Sequence, residues 1–168
     1  GDELTWAASE LYITTKADSF YTASKIEKVY PNIPNWRSVA TLSFVSLLHN
    51  KDELTDIAET ADLEEKFIAL TERMYQSYEK SAYGIVMGYG AGDFNWGSNS
   101  NALNQSMLLI QAYNLTQDKK YLNAAQSNLD YVLGQNPIAM CYVTGQGTNS
   151  TLHPHHRPSM GDNKAKPV

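Results

Sequence analysis

Segments with a helical spacing of apolar residues alternate along the chain with segments rich in glycine, proline and amides. In the helical segments, apolar residues return every three or four positions. Helices are predicted over 2–15, from Phe20 to a point before Pro31, and over about 36–48, 62–78, 102–113 and 119–133. After Gly134, which is suited to end the last helix, no periodicity remains, and the spacing predicts an ordered C-terminal loop.

The apolar residues also predict which face of each helix is buried. The third helix is apolar nearly all round, which predicts burial on most sides. Asp62 and Glu65 resemble a capping box at the start of the fourth helix, and Ser98 or Asn99 would cap the fifth. The predicted stripes of the first and last helices are Leu4, Ala7, Ala8, Leu11 and Tyr12, and Leu122, Ala125, Leu129 and Val132.

A short pattern occurs twice, at an offset of 101 residues. Each copy reads as the end of a helix, a tight turn and a partner helix running back. Repeated hairpins of this kind bury their faces only by stacking on neighbours, in an open solenoid or a closed toroid. The fold class is therefore predicted to be all-α. The matched residues are Tyr12, Thr15, Phe20 and Ala23, then Tyr113, Thr116, Tyr121 and Ala124.

Composition narrows the classes of function. A chain of 168 residues with 42% hydrophobic residues fits one domain. Its net charge of −5 argues against a nucleic-acid partner, which needs a basic surface, and no apolar run is long enough to span a membrane. The single cysteine, Cys141, excludes an internal disulfide and is expected to be packed. Eleven Tyr, three Trp and four Phe suit a carbohydrate ligand, and the alternative is that most of these rings simply form the core.

The first loop of chemical interest covers residues 88–101 and is rich in glycine. Asp93, Asn95 and Trp96 supply an anion, an amide and a flat ring. A nucleotide site is disfavoured because no strand precedes the glycines and no lysine follows them. Two interpretations stay open: a turn whose Trp96 packs inward, or a platform on which the indole stacks against a sugar while amides meet its hydroxyls.

The second loop covers residues 141–159 and holds His153, His155, His156 and Arg157. Zinc could use such histidines, but their spacing is poor and an acidic partner is missing. A histidine could act as a general base, although no recognisable nucleophile accompanies it. The other interpretations are a rigid polar clamp in which His155 and Arg157 project together towards a ligand, or histidines that only satisfy loop carbonyls.

Three motifs in sequence order resemble glycoside hydrolase family 9, the cellulase and endoglucanase family. They are the run DYVLGQNP at 130–137, the run YVTGQG at 142–147 and the run HPHHR at 153–157. The WGSN segment at 96–99 and the opening helix resemble the family as well. The resemblance covers essentially the whole chain. It implies an (α/α)6 toroid and hydrolysis of β-1,4-linked glucan with inversion.

The resemblance also implies roles for individual residues. His155 and Arg157 match the histidine and arginine that line the cleft near the cleavage point, which makes His155 the catalytic candidate. Trp96 matches a position that often stacks on a glucosyl ring. Trp36, near another such position, and His156 are further candidates for binding substrate.

The family also bears on metals and cofactors. Some members bind calcium with an acidic pair like Asp2 and Glu3, together with a second acidic pair. Arg37 and Ser38 stand at the second position here. We therefore expect neither a metal nor a cofactor.

The two catalytic carboxylates of an inverting hydrolase match no residue of this chain. Residues 1–168 are therefore expected to form a single partial domain, the C-terminal portion of a catalytic toroid that is inactive alone. The expected partners are β-1,4-glucan or a related polysaccharide, such as mixed-linkage glucan or a glucosamine-containing chain, and the missing N-terminal and C-terminal parts of the same domain. A polymeric substrate implies a location outside the cell or in the periplasm. The alternative is a non-catalytic helical module that binds carbohydrate or serves as a scaffold.

Overall fold

The structure is a computed structural model that describes residues 1–87 and 90–155. In this part of the chain the regular elements are helices, and no strand occurs. The all-α prediction is confirmed, and none of the described helices has both the length and the apolar character needed to cross a bilayer. The α-helices, in chain order, are α1 (Asp2–Thr15), α2 (Asp18–Ser24), α3 (Thr41–His49), α4 (Thr60–Lys80), α5 (Ser98–Thr116) and α6 (Lys119–Leu133).

The helices pack as three consecutive hairpins. α1 packs against α2 and α3, α3 against α4, α4 against both α5 and α6, and α5 against α6. Two-residue turns close the first and third hairpins, so the helices of each run antiparallel. In such a stack, the longer segments that precede α3, precede α5 and follow α6 lie at the same end.

The two short turns have the same backbone geometry. Lys16 and Gln117 both adopt the left-handed conformation, with φ of 58° and 59°. Their N–H groups donate to the carbonyls of Tyr12 and Tyr113, which closes the last turn of α1 and of α5 in the same way. The repeat seen in the sequence is therefore a structural repeat.

A threonine completes each of these turns. The hydroxyls of Thr15 and Thr116 accept the N–H groups of Ala17 and Asp118, at 3.3 and 3.2 Å. The same hydroxyls donate to carbonyls one helical turn back, at 2.7 and 2.8 Å. Each threonine thus satisfies one carbonyl at the helix end and one N–H group at the start of the next helix.

The core runs along the interface between the hairpins. Tyr12 is its largest fully buried side chain, and its hydroxyl is satisfied by the hydroxyl and the backbone N–H of Thr55, at 2.8 and 2.9 Å. This contact fixes the α3–α4 connection onto α1. Other fully buried apolar side chains include Ile26, Phe44, Leu47, Leu63, Phe67, Leu108 and Leu109.

Four predicted helix starts are wrong, the first because α2 begins at Asp18 and not at Phe20. α3 begins at Thr41 and not at Trp36, because Asn35 and Ser38 exchange two backbone hydrogen bonds that close a tight turn. α4 has no capping box, since the Asp62 carboxylate pairs with Lys66 at 2.7 Å. α5 begins at Ser98, after Gly97 as its N-cap, and no side chain caps it.

The predicted apolar stripes are only partly buried. In α1, Tyr12 is buried whereas Leu4 and Leu11 are exposed. In α6, Leu122 and Leu129 remain partly exposed, because the face that meets α5 is rotated by about one position. That face is built from Tyr121, Ala124, Ala125, Asn128, Tyr131 and Val132, whose small members allow α5 to approach closely.

A charged cluster joins α4 to α6. The Glu72 carboxylate accepts hydrogen bonds from Lys120 Nζ and from the Tyr121 hydroxyl, both at 2.9 Å. Lys120 Nζ also lies 5.2 and 4.9 Å from the ring centroids of Tyr75 and Tyr121. The hydrogen bond from Lys120 lowers the pKa of Glu72, and the same bond raises the pKa of Lys120.

The Glu72 cluster predicts a pH-dependent contribution to stability. A carboxyl group with a lowered folded pKa stabilises the fold above its unfolded pKa of about 4.3, and the contribution is lost as the pH falls through the folded value. We expect Glu72→Gln to lower the Tm at pH 7 and to flatten the fall of Tm between about pH 5 and 3. Thermal unfolding followed by circular dichroism over this range tests it. The exposed Glu65→Gln on the same helix is the control, and an equal effect of both changes would contradict the prediction.

The left-handed turns predict a stabilising substitution. Glycine adopts φ near 60° without the steric cost that other residues incur, so Lys16→Gly is expected to raise the free energy of unfolding by up to about 1 kcal/mol. Gln117→Gly should raise the free energy of unfolding by less, because it also removes the hydrogen bond from the Gln117 amide to the carbonyl of Asn114 at 3.0 Å. Urea unfolding of each variant measures this difference. Ala7→Gly, inside α1, should instead destabilise by about 1 kcal/mol.

Candidate functional site

Three of the candidate residues, Trp36, Trp96 and His155, lie in the long segments at one end of the hairpin stack. Trp36 lies between α2 and α3, Trp96 between α4 and α5, and His155 beyond α6. A direct contact joins the first segment to α5, because the Asn104 amide donates to the carbonyl of Pro34 at 2.8 Å. The fold therefore brings together segments that are distant in the sequence.

Trp36 stands at the tip of the tight turn closed by Asn35 and Ser38. The Asn35 side chain accepts the N–H of Arg37 at 2.9 Å, which holds the tip in shape. The indole is 81% exposed, and the Arg37 guanidinium lies 4.6 Å from its ring centroid. One face of the ring is thus covered by a cation, which leaves the other face for a ligand.

Trp96 lies in a loop between a short 3₁₀ turn and the start of α5. A 3₁₀ turn occupies Ala91–Phe94, and the Asn95 amide donates to the carbonyl of Gly92 at 3.1 Å. Gly97 follows with φ of 81°, a conformation that favours glycine, and starts α5. The Trp96 side chain is 82% exposed. Its ring therefore does not pack inward, so the first of the two interpretations left open by the sequence is wrong.

The ring of His155 lies against Trp96. The two ring centroids are 5.9 Å apart and the planes meet at 81°, an edge-to-face contact. The histidine side chain is exposed, so the pair presents a flat aromatic face and a polar nitrogen to the same solvent region. His156 and Arg157, the other two candidates in this motif, lie outside the described residues.

The segment after α6 folds back onto that helix before it reaches His155. Tyr142 N–H donates to the carbonyl of Val132 at 2.8 Å, and Cys141 exchanges backbone hydrogen bonds with Asn149 and Thr151. Buried Asn136 donates through its amide to the carbonyls of Tyr131 and Met140, both at 2.8 Å. The predicted ordered loop is thus observed over residues 134–155, and Cys141 is packed in it as expected.

A cavity of about 160 Å³ lies between the Trp36 segment and the Trp96 loop. Its lining residues are Ile33, Val86, Met87, Gly92, Asp93, Asn95, Asn101 and Gln105. Sequence reasoning missed Asn101 and Gln105, which lie one helical turn apart on α5. That spacing of two amides was the available signal, but it also fits an ordinary solvated helix face. The cavity wall combines amides, one carboxylate and apolar surface, a mixture suited to an uncharged polar ligand.

Asp2, at the start of α1, is joined by a hydrogen bond to the segment that follows the Trp36 turn. Asp2 Oδ2 accepts the backbone N–H of Val39 at 2.7 Å, and this bond lowers the pKa of Asp2. The positions of the family's second acidic pair are occupied by Arg37 and Ser38. The Arg37 guanidinium lies over the ring of Trp36, and the Ser38 hydroxyl donates to Asn32 Oδ1. Within residues 1–87 and 90–155, no three His, Cys, Asp or Glu side chains form a cluster that could hold a metal ion.

Comparisons with known proteins agree with this architecture. The model of glycosyl hydrolase family 9 matches residues 1–167. A xyloglucan-specific endo-β-1,4-glucanase of Bacteroides ovatus is 36% identical over 99% of the chain, which spans 29% of that relative.

Two solved structures are similar as well. A Bacteroides ovatus family 9 structure superposes with a TM-score of 0.87 at 32% identity, covering 99% of this chain and 31% of the other. A metagenome-derived family 9 endoglucanase gives 0.84 at 33% identity, covering 96% and 30%. The chain thus spans about 30% of the length of these relatives, and along nearly its whole length it belongs to glycosyl hydrolase family 9.

Proposed function

We propose that this chain is the C-terminal part of a catalytic domain that hydrolyses β-1,4-linked glucan with inversion. The edge-to-face contact between Trp96 and His155 carries the proposal, because it joins a sugar-stacking ring to a polar group on one exposed surface. The 36% identical relative is named for action on a β-1,4-glucan backbone, which supports this substrate class. Such a polymer would be met outside the cell or in the periplasm.

Each candidate residue has a role that its chemistry fits. Trp96 and Trp36 would stack on the apolar faces of glucosyl rings, as their exposure allows. The imidazole of His155 would hydrogen-bond to sugar hydroxyls at the cleavage point and orient the ring. His156 and Arg157, by resemblance, would add further donors. Hydrogen bonds of this kind that strengthen in the transition state raise kcat, whereas stacking contributes mainly to binding.

The acid and the base would come from parts of the domain outside these 168 residues. Inversion needs a carboxylate that activates water and a carboxylic acid that protonates the leaving oxygen, about 6.5–9.5 Å apart. Asp93 lines the cavity, yet it matches neither role in the family. The chain alone would therefore hold sugar without cleaving it.

Exposed apolar side chains on the last hairpin support the idea of a partial domain. Soluble domains rarely leave a large continuous apolar surface uncovered, so these stripes would pack against the remaining helices of a toroid. Leu103, Met107 and Ile110 follow one face of α5, and Leu122, Leu129 and Leu133 lie on α6.

Substitutions at the paired rings test the proposed site in the full-length protein. We expect His155→Ala to lower kcat/KM on soluble glucan at least about tenfold, because it removes a strong hydrogen bond to the substrate. Trp96→Ala should mainly raise KM, whereas Trp96→Phe, which keeps a flat face, should retain most of the affinity. Trp6→Phe, on α1, is the control. Unchanged kinetics in both the His155→Ala and Trp96→Ala variants would discard the site.

Activity of the isolated chain separates the enzyme fragment from a binding module. Residues 1–168 alone should bind cello-oligosaccharides weakly and release no reducing sugar. The full-length protein should release it from β-1,4-glucan, with xyloglucan, mixed-linkage glucan and a glucosamine-containing polymer as the comparison panel. If the full-length protein binds these polymers and cleaves none of them, the non-catalytic module is the correct function.

A further inference from the structure

Asn128 is a fully buried amide at the centre of the contact between α6 and the Trp96 loop. Its side chain is 0% exposed. Its Oδ1 accepts the N–H of Val86 at 2.8 Å. Its Nδ2 donates to the carbonyl of Ala102 at 3.0 Å and to Gln105 Oε1 at 3.2 Å. The amide thus has a partner for its oxygen and for each of its two N–H groups.

The partners of Asn128 lie on opposite sides of the candidate site in the sequence. Val86 precedes the loop that carries Trp96, and Ala102 follows it in the first turns of α5. Val86 and Gln105 also line the cavity beside that loop. One side chain therefore holds together the two ends of the loop and one wall of the cavity.

Neighbouring contacts reinforce the same attachment. The Ser127 hydroxyl donates to the carbonyl of Gly84, just before Val86. Gly84 has φ of 59°, and a Cβ there would lie 3.0 Å from Ser127 Oγ, so a side chain would strain the backbone and crowd this contact. The segment leading into the Trp96 loop is thus fixed on α6 at two adjacent points.

These three hydrogen bonds require an amide, which has both an acceptor oxygen and two N–H donors. Aspartate has the same shape and could still accept the N–H of Val86, but it cannot donate to Ala102 and Gln105. Its carboxylate would face the carbonyl oxygen of Ala102 in a buried place, where an unpaired charge is costly. Alanine would leave the Val86 N–H without its acceptor and Gln105 Oε1 without its donor, whereas the Ala102 carbonyl would keep the hydrogen bond from the Ser106 hydroxyl at 3.1 Å.

We propose that Asn128 is a positioning residue for sugar binding, which sets the place of Trp96 by fixing both ends of its loop. The inference rests on the proposed function, since it assigns to Asn128 the task of presenting a sugar-stacking ring. Asn128 itself reaches neither Trp96 nor the solvent.

The test uses the full-length protein labelled with 5-fluorotryptophan, in which the Trp96 resonance is identified by its loss in Trp96→Phe. We expect Asn128→Asp and Asn128→Ala to shift or broaden the ¹⁹F signal of Trp96 without ligand. They should also weaken cellotetraose binding, measured by calorimetry, about tenfold. Gln105→Leu, which removes one acceptor of the same amide, should shift the signal in the same direction by less. Asn123→Asp makes the same chemical change on the exposed face of α6 and should have no effect.

A core variant on α3, which removes no hydrogen bond of Asn128, distinguishes positioning from general destabilisation. Phe44→Leu should lower the Tm and leave both the Trp96 signal and the affinity unchanged. The proposal is overturned if Asn128→Asp leaves the signal and the affinity as in the parent protein. It is also overturned if Phe44→Leu weakens binding as much as Asn128→Asp does. If the signal moves but the parent protein binds no glucan, the attachment is correct and the proposed function is wrong.

Discussion

The direction of the chain in each hairpin is the constraint on which the candidate site depends. Two-residue turns at 16–17 and 117–118 force consecutive helices to run antiparallel, so the chain returns to the same end after α2, α4 and α6. The long segments that hold Trp36, Trp96 and His155 all belong to that end. The opposite end has the two short turns and the brief α3–α4 connection. Position in the hairpin order, more than any local motif, therefore decides which residues can meet.

Local signals in the sequence predicted the helices well where a turn is chemically defined. α6 was predicted over its whole length because Gly134 ends it and the repeated turn begins it. The prediction failed at the start of α3. The helical spacing of the apolar residues after Val39 can be extended back to Trp36, but Asn35 and Ser38 fold that segment into a tight turn. Two backbone hydrogen bonds across four residues override an apolar pattern, and nothing in that pattern reveals them.

The site was predictable in part. The motif resemblance placed Trp96 and His155 on one cleft, and the structure brings their rings into contact. The amides of Asn101 and Gln105 could not be found, because a polar residue on a helix has the same local pattern whether it meets solvent or a cavity. Asn128 was hidden for the same reason. Its partner Val86 lies 42 residues away and its partner Ala102 lies 26 away, and only the packing of α6 on α5 brings the three together.

These sequence separations also have a consequence for biosynthesis. A ribosome releases Val86 and the Trp96 loop well before it releases Asn128, so the nascent loop lacks its hydrogen bonds to α6 until the last hairpin emerges and docks. The site is therefore completed late, after the first two hairpins have had time to collapse. We expect a chain interrupted before residue 128 to retain helices yet to leave the indole of Trp96 without a fixed place.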